Sequence, residues 1–96
     1  MEPEGIAAAL HACAGVTDAI VLPVATKTGV VAGALVESAT ILRPVELRTR
    51  LETALPSWAQ PRVVHVMTEL PRLATGKIDR QRCAVILQEL SGRSIT

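Results

Sequence analysis

Aromatic side chains are almost absent from this sequence. Phe and Tyr are missing, and Trp58 is the single aromatic residue among 96, although hydrophobic residues make up 49% of the chain. The core must therefore be built from Val, Leu, Ile and Ala, and in a chain that fits one small domain such a core leaves a stability of only about 3–5 kcal/mol. The lack of aromatics also argues against nucleic-acid binding by base stacking.

Cysteine is equally scarce, and long hydrophobic runs are missing. Cys13 and Cys83 stand alone, without the CxxC or Cys/His spacing that closes a metal site, so we expect two reduced thiols and no bound metal. No stretch approaches the ~20 uninterrupted apolar residues that span a bilayer, and the N-terminus lacks a signal sequence. We therefore expect a soluble, cytoplasmic chain without a membrane partner.

Neither sign of charge dominates, because the formal net charge is +1. The distribution is uneven: residues 1–69 carry five Lys or Arg and seven acids, whereas residues 70–96 carry five Lys or Arg and two acids. The excess of three positive charges (five minus two) in the second part is too small for bulk nucleic-acid binding. It suits an anionic small molecule better.

Three segments have the apolar spacing of helices. Residues 3–14 begin with Pro3 and residues 44–55 begin with Pro44, and proline is favoured in a first helical turn. A third helix is predicted to begin at Asp79, whose carboxylate can accept hydrogen bonds from the first free amides. Gly5 weakens the first helix by ~1 kcal/mol relative to alanine.

Three apolar runs rich in β-branched residues predict strands, namely residues 19–24, 30–36 and 63–67. The polar break between the first two predicts an antiparallel hairpin. Gly33 indicates either a bulge or a close approach of the backbone to a neighbouring helix, and His65 is expected to be structural. The order of elements predicts an α/β domain over residues 1–96, in which a sheet of about three strands packs with three helices.

The segment LPRLATGKIDR, residues 70–80, has no apolar period and is predicted to be a loop. Lys77 follows the permissive Gly76 and precedes a helix, so its ammonium can reach a phosphate or carboxylate oxygen. Spacing alone also fits an ordinary exposed lysine, because the GxxxxGK[ST] arrangement of a phosphate-binding loop is absent. Three arginines surround the loop and either assist anion contact or docking or form a solvated basic face, namely Arg72, Arg80 and Arg82.

The order of these motifs resembles the C-terminal domain of the adenylate-forming enzymes, which include acyl-CoA synthetases and the adenylation domains of peptide synthetases. The resemblance runs from MEPEGIAAAL through GVTDAIVLPV to LETALPSWAQPRVVHVMTELPRLATGKIDR, over residues 2–90. It implies that the chain is a small lid, inactive alone, on a large N-terminal domain that carries the ATP-binding motifs and acyl pocket. Trp58 stands where the family has an aromatic residue and is expected to be a packing anchor.

The resemblance also implies roles for the loop residues. Lys77 corresponds to the lysine that contacts the acyl carboxylate and the ATP phosphates, and Thr75 and Gly76 lie in the loop that carries it. The implied cofactors are ATP and Mg, bound mainly by the large domain, with the pantetheine thiol of coenzyme A or of a carrier protein as acceptor. The combination of TGKIDR with LPSWAQP favours a peptide-synthetase-like enzyme.

Two kinds of partner follow from the resemblance. The first is the large adenylation domain, in cis or in trans, and the second is an acyl or peptidyl carrier protein. The alternative function is a non-catalytic interaction module that keeps the lid fold and docks on a carrier protein or a synthetase. The two hypotheses differ in whether Lys77 matters for activity.

Overall fold

The computed structural model describes residues 3–40, 42–56 and 59–95. These ranges contain three helices and three strands, in the order α1 (Pro3–His11), β1 (Asp18–Thr26), β2 (Gly29–Glu37), α2 (Pro44–Ala54), β3 (Val63–Met67) and α3 (Arg80–Ile95). The predicted α/β class and the number and order of elements are confirmed. Trp58, which was predicted to be a packing anchor, lies outside the described residues.

The sheet is mixed, with β2 in the middle. β1 and β2 pair antiparallel in one unbroken register, from Asp18 opposite Glu37 to Thr26 opposite Gly29. β3 pairs parallel to the other side of β2. Parallel neighbours cannot be joined by a tight turn, and α2 supplies the crossover between them. The predicted hairpin plus third strand is therefore the observed sheet.

Successive side chains of a strand point to opposite sides of the sheet. Both faces of this sheet carry apolar side chains, and helices cover both. One face packs against α1 and α2, which bury Ile6, Leu10, Leu47 and Leu51 together with Ala19, Val21, Ala32, Ala34 and Val36. The other face packs against α3, which buries Cys83 and Leu87 together with Ile20, Leu22, Val24, Leu35 and Leu70. No helix in the described ranges is long and apolar enough to cross a membrane.

Gly33 lies at the centre of β2, where α3 crosses the sheet. A Cβ atom on this residue would stand 2.6 Å from Cγ2 of Val24 and 3.4 Å from both Cδ atoms of Leu87. The strand register continues through this position, so there is no bulge. Of the two interpretations of this glycine, the close approach beneath a helix is confirmed.

β1 forms one edge of the sheet, and its outer side is protected. The side chain of Gln88 in α3 makes the two hydrogen bonds that a neighbouring strand would make with Ala25. Its Nε2 donates to the Ala25 carbonyl at 2.8 Å, and its Oε1 accepts from the Ala25 amide at 3.1 Å. Pro23 lies two residues earlier on the same side and has no amide to leave unpaired. Both features reduce the pairing of this edge with another chain.

Candidate functional site

The predicted lysine loop is an ordered hairpin between β3 and α3. Arg72 and Ile78 form an isolated antiparallel bridge. The Leu73 amide donates to the Lys77 carbonyl at 2.8 Å, and the Gly76 amide donates back to the Leu73 carbonyl at 2.9 Å. Gly76 has φ +90°, a conformation that favours glycine. Main-chain hydrogen bonds therefore close this segment, which the sequence predicted only as a loop.

The Lys77 side chain points away from the core of the domain. Ile78 packs against the apolar cluster beneath α3, and neighbouring residues of an extended segment point to opposite sides. Lys77, Thr75 and Gly76 are all exposed. Within the part of the chain that the structure describes, no residue forms a hydrogen bond or ion pair with the Lys77 side chain. Its ammonium is therefore available to an external anion.

The base of the hairpin leads directly into α3. The Asp79 amide donates to the Pro71 carbonyl at 2.9 Å, which holds the two ends of the hairpin together. Asp79 Oδ1 accepts from the Arg82 amide at 3.2 Å, so this carboxylate caps the first turn of the helix as predicted. The segment that carries Lys77 is thus anchored at the point where it joins the helix.

Arg72 ties the hairpin to the end of the sheet. Its Nη2 donates to Asp18 Oδ2 at 2.9 Å and to Glu37 Oε2 at 3.3 Å, and its Nη1 donates to the Gly76 carbonyl at 3.1 Å. Asp18 and Glu37 are opposite each other in the register of β1 and β2, where two like charges destabilise a sheet. The guanidinium between them converts this repulsion into two ion pairs.

Further donors hold the two acids in place. They accept hydrogen bonds from the Leu70 amide (2.9 Å), the Thr17 hydroxyl (2.9 Å) and the Ala19 amide (2.9 Å), and the His11 Nε2 lies 3.3 Å from Asp18 Oδ1. Each carboxylate oxygen therefore has at least one partner. We call Asp18, Glu37 and Arg72 the anchor network.

The anchor network changes the pKa values of its members. The hydrogen bond from the Leu70 amide has the largest effect on Glu37 and lowers the pKa of that carboxyl below its ordinary value. Burial raises the pKa of Asp18, but the hydrogen bonds from Arg72 and the Ala19 amide outweigh it, and the net pKa is lowered. Hydrogen bonding to Asp18 in turn raises the pKa of Arg72. All three groups are therefore charged at neutral pH.

Residues 5–77 match the family described as the AMP-binding enzyme C-terminal domain. The chain belongs to this family. The match covers most of α1, the three strands and the crossover helix α2, and its last residue is Lys77. The predicted resemblance to the lid domain of the adenylate-forming enzymes is therefore confirmed.

Relatives of this AMP-binding enzyme C-terminal domain are much longer proteins. The chain is 49% identical over 35 residues to the nonribosomal peptide synthetase tpzA of Aspergillus terreus (strain NIH 2624 / FGSC A1156), which is 36% of this chain and 1% of that protein. Its fold resembles apo MatB from Rhodopseudomonas palustris, with TM-score 0.83 and 20% identity over 95% of this chain and 19% of MatB. A benzoate CoA ligase from Burkholderia xenovorans LB400 has TM-score 0.72 and 25% identity over 85% of this chain and 18% of the ligase.

The predicted site residues of the C-terminal domain are distributed around the hairpin. Arg80 and Arg82 are exposed on the first turn of α3, and Arg82 lines with Arg72 a shallow cavity of about 410 Å³ beside the hairpin. The guanidinium of Arg72 already has two carboxylate partners, so its role as an anion contact stays a prediction, as does that of Arg80. In the described ranges, no group of three His, Cys, Asp or Glu residues is arranged to hold a metal.

Sequence reasoning missed Asp18 and Glu37. These acids are 54 and 35 residues from Arg72 along the chain, and no motif links them. One signal was present: an acid lies at each outer end of the predicted hairpin. In-register pairing makes those ends face each other, and two facing acids destabilise a sheet unless a cation lies between them.

Proposed function

We propose that this domain is the lid of an ATP-dependent, acid-activating ligase, to which it supplies Lys77 for acyl-adenylate formation. The observation that carries the proposal is the exposed Lys77 ammonium, which has no partner among the described residues and lies at the end of the family match on a hairpin with an anchored base. The 49% identity over 35 residues to a peptide synthetase supports a peptide-synthetase-like enzyme. The isolated domain is expected to be inactive.

The residues of this domain fit a single contact to ATP and not a complete site. An ammonium on a flexible stem can neutralise a phosphate or carboxylate oxygen. The hairpin around Lys77 does not enclose a ligand, and the described residues lack a set of carboxylates that would hold Mg. In this proposal, ATP and Mg are bound mainly by a large N-terminal domain, joined in cis or supplied in trans.

The chemistry of adenylation explains why one lysine is valuable. Negative charge builds up on the phosphate oxygens as the carboxylate attacks the α-phosphate and pyrophosphate departs. A preorganised positive group near those oxygens stabilises the transition state, and removing one such group costs about 10²–10³ in rate. Rotation of the lid then withdraws Lys77, and the acyl group passes to the pantetheine thiol of coenzyme A or of a carrier protein.

Lys77→Ala tests the proposal in the ligase assembled with its large domain. The assay is the exchange of pyrophosphate into ATP, with the twenty proteinogenic amino acids and benzoate as candidate acids. We expect the exchange rate to fall about 10²–10³-fold. Lys27→Ala is the matched control, because Lys27 is exposed in the β1–β2 turn and its loss removes the same charge.

Two outcomes would contradict the proposal. An unchanged exchange rate in Lys77→Ala would show that this lysine takes no part in adenylation. Tight carrier-protein binding that survives loss of Lys77, together with no rescue of a ligase that lacks its lid, would favour the interaction module instead.

A further inference from the structure

We propose that Arg72 is the positioning residue for Lys77, and that Asp18 and Glu37 hold it in that role. This inference rests on the proposed function of the hairpin. Arg72 lies on the first arm of the hairpin and Lys77 on the second. The guanidinium of Arg72 spans the two arms and binds the carbonyl of Gly76, the residue directly before Lys77, at 3.1 Å.

The hairpin has a fixed base and a tip with few attachments. The base is held by the Leu70 amide on Glu37 at 2.9 Å, by Ile78 in the core and by the Asp79 amide on Pro71. The tip, residues 73–77, is exposed. Its main-chain hydrogen bonds fix its own shape, but in the described part of the chain only the bond from Arg72 to Gly76 joins it to the sheet.

The anchor network holds Arg72 from two strands at once. Asp18 is the first residue of β1 and Glu37 is the last residue of β2, so the guanidinium is fixed relative to the sheet and not to a single side chain. A planar guanidinium can bind several acceptors in a fixed geometry, which an ammonium cannot do. Arg72 therefore fixes Gly76, the residue directly before Lys77, relative to the sheet.

Position matters for a group that acts through its charge. A displacement of about 1 Å in a catalytic group can cost about 10²-fold in rate. Without Arg72, only the tip's own main-chain hydrogen bonds oppose its opening, so those bonds break more often and the tip loses its fixed orientation on the sheet. We therefore expect Arg72→Met to lower kcat about 10–100-fold, with little change in the KM for ATP, which the large domain binds.

The first test needs only the 96-residue chain. Amide hydrogen exchange is measured by NMR in Arg72→Met and in Arg62→Met, a control that removes an exposed arginine just before β3. We expect the amides of Leu73 and Gly76 to exchange about tenfold faster in Arg72→Met only, with amides of the central strand unchanged. Equal exchange rates in the two variants would overturn the inference.

The second test is a double-mutant cycle in the assembled ligase. If Arg72 acts by positioning Lys77, Arg72→Met has no further effect on kcat once Lys77 is alanine. Arg72→Lys restores the charge but not the three contacts, so it should recover only part of the loss. Asp18→Asn and Glu37→Gln should each lower kcat, and neither should add to Arg72→Met.

The outcomes separate this inference from the proposed function. If Lys77→Ala lowers the exchange rate but Arg72→Met keeps kcat within twofold, the positioning role is wrong and the lid function stands. If Arg72→Met slows the Lys77→Ala enzyme further, Arg72 contacts the anion itself and the inference is again wrong. An unchanged rate in Lys77→Ala would overturn both.

Discussion

Replacing Gly33 with alanine tests how closely Val24 of β1 and Leu87 of α3 pack against the middle of β2. The new Cβ would lie 2.6 Å from Cγ2 of Val24 and 3.4 Å from the Cδ atoms of Leu87. The first distance is about 1 Å shorter than the usual separation of two carbon atoms. Val24 and Leu87 are 1% and 0% exposed, so neither side chain can turn into solvent. The helix or the strand must move.

Two opposing effects determine how much Gly33→Ala changes the free energy of unfolding. Overpacking of a well-packed core costs about 1–3 kcal/mol. Alanine also restricts the unfolded chain, which stabilises a protein by about 0.4–1 kcal/mol where the backbone accepts it. Gly33 does not have a positive φ, so no backbone strain is added. We expect a net destabilisation of about 1–2 kcal/mol, a large fraction of the stability of so small a domain.

Urea unfolding followed by circular dichroism measures the effect. The matched control is Gly5→Ala in α1, where nothing lies within 4 Å of the new Cβ and a gain of about 0.5–1 kcal/mol is expected. Adding Val24→Ala to Gly33→Ala removes the closest contact, so the double variant should lose less than the sum of the single variants. A Gly33→Ala protein as stable as the parent would refute the close packing of Val24 and Leu87 around Gly33.

Two further predictions concern charges and the sheet edge. Asp18 and Glu37 have lowered pKa values, so their stabilisation is complete above the ordinary values of 3.8 and 4.5 and is lost as pH falls through the lower folded values. We expect the urea midpoint to decrease as the pH is lowered from 6 to 2.5, and to decrease less in Arg72→Met. The same pH dependence in both proteins would contradict the ion pairs. Gln88→Ala removes both hydrogen bonds to Ala25 and should cost about 1 kcal/mol, measured by the same unfolding assay, whereas an unchanged midpoint would show that the edge is not held by this side chain.

The fold was largely predictable because local patterns and tertiary structure agree. Prolines begin the first two helices, and the apolar runs coincide with the three strands. The ends of the elements were less accurate. β1 extends from Asp18 to Thr26, beyond the predicted 19–24, because in-register pairing continues over end residues that carry little apolar signal. α1 ends at His11 and not at residue 14.

The candidate site was only half predictable. Lys77 was predicted as a site residue because the segment around it is a continuous motif, and its role stays a prediction. The order of the hairpin and the anchor network could not be read from spacing, because the hydrogen bonds that close the hairpin are main-chain bonds. The acidic partners of Arg72, Asp18 and Glu37, are separated from it by 54 and 35 positions along the chain. Those contacts depend on the sheet register, which exists only after the chain has folded.

Three side chains of the hairpin have three different surroundings. Ile78 packs into the core, Arg72 binds the two acids at the end of the sheet, and Lys77 points outward. A lysine loses about 1.5–2 kcal/mol of side-chain entropy when it is fixed. Because the base is rigid, only the lysine stem must be ordered when an anion binds. Preorganisation of this kind reduces the entropy cost of binding. In the proposed role, the lysine stem can stay flexible because the backbone beneath it is held by the main-chain hydrogen bonds of the hairpin and by Arg72.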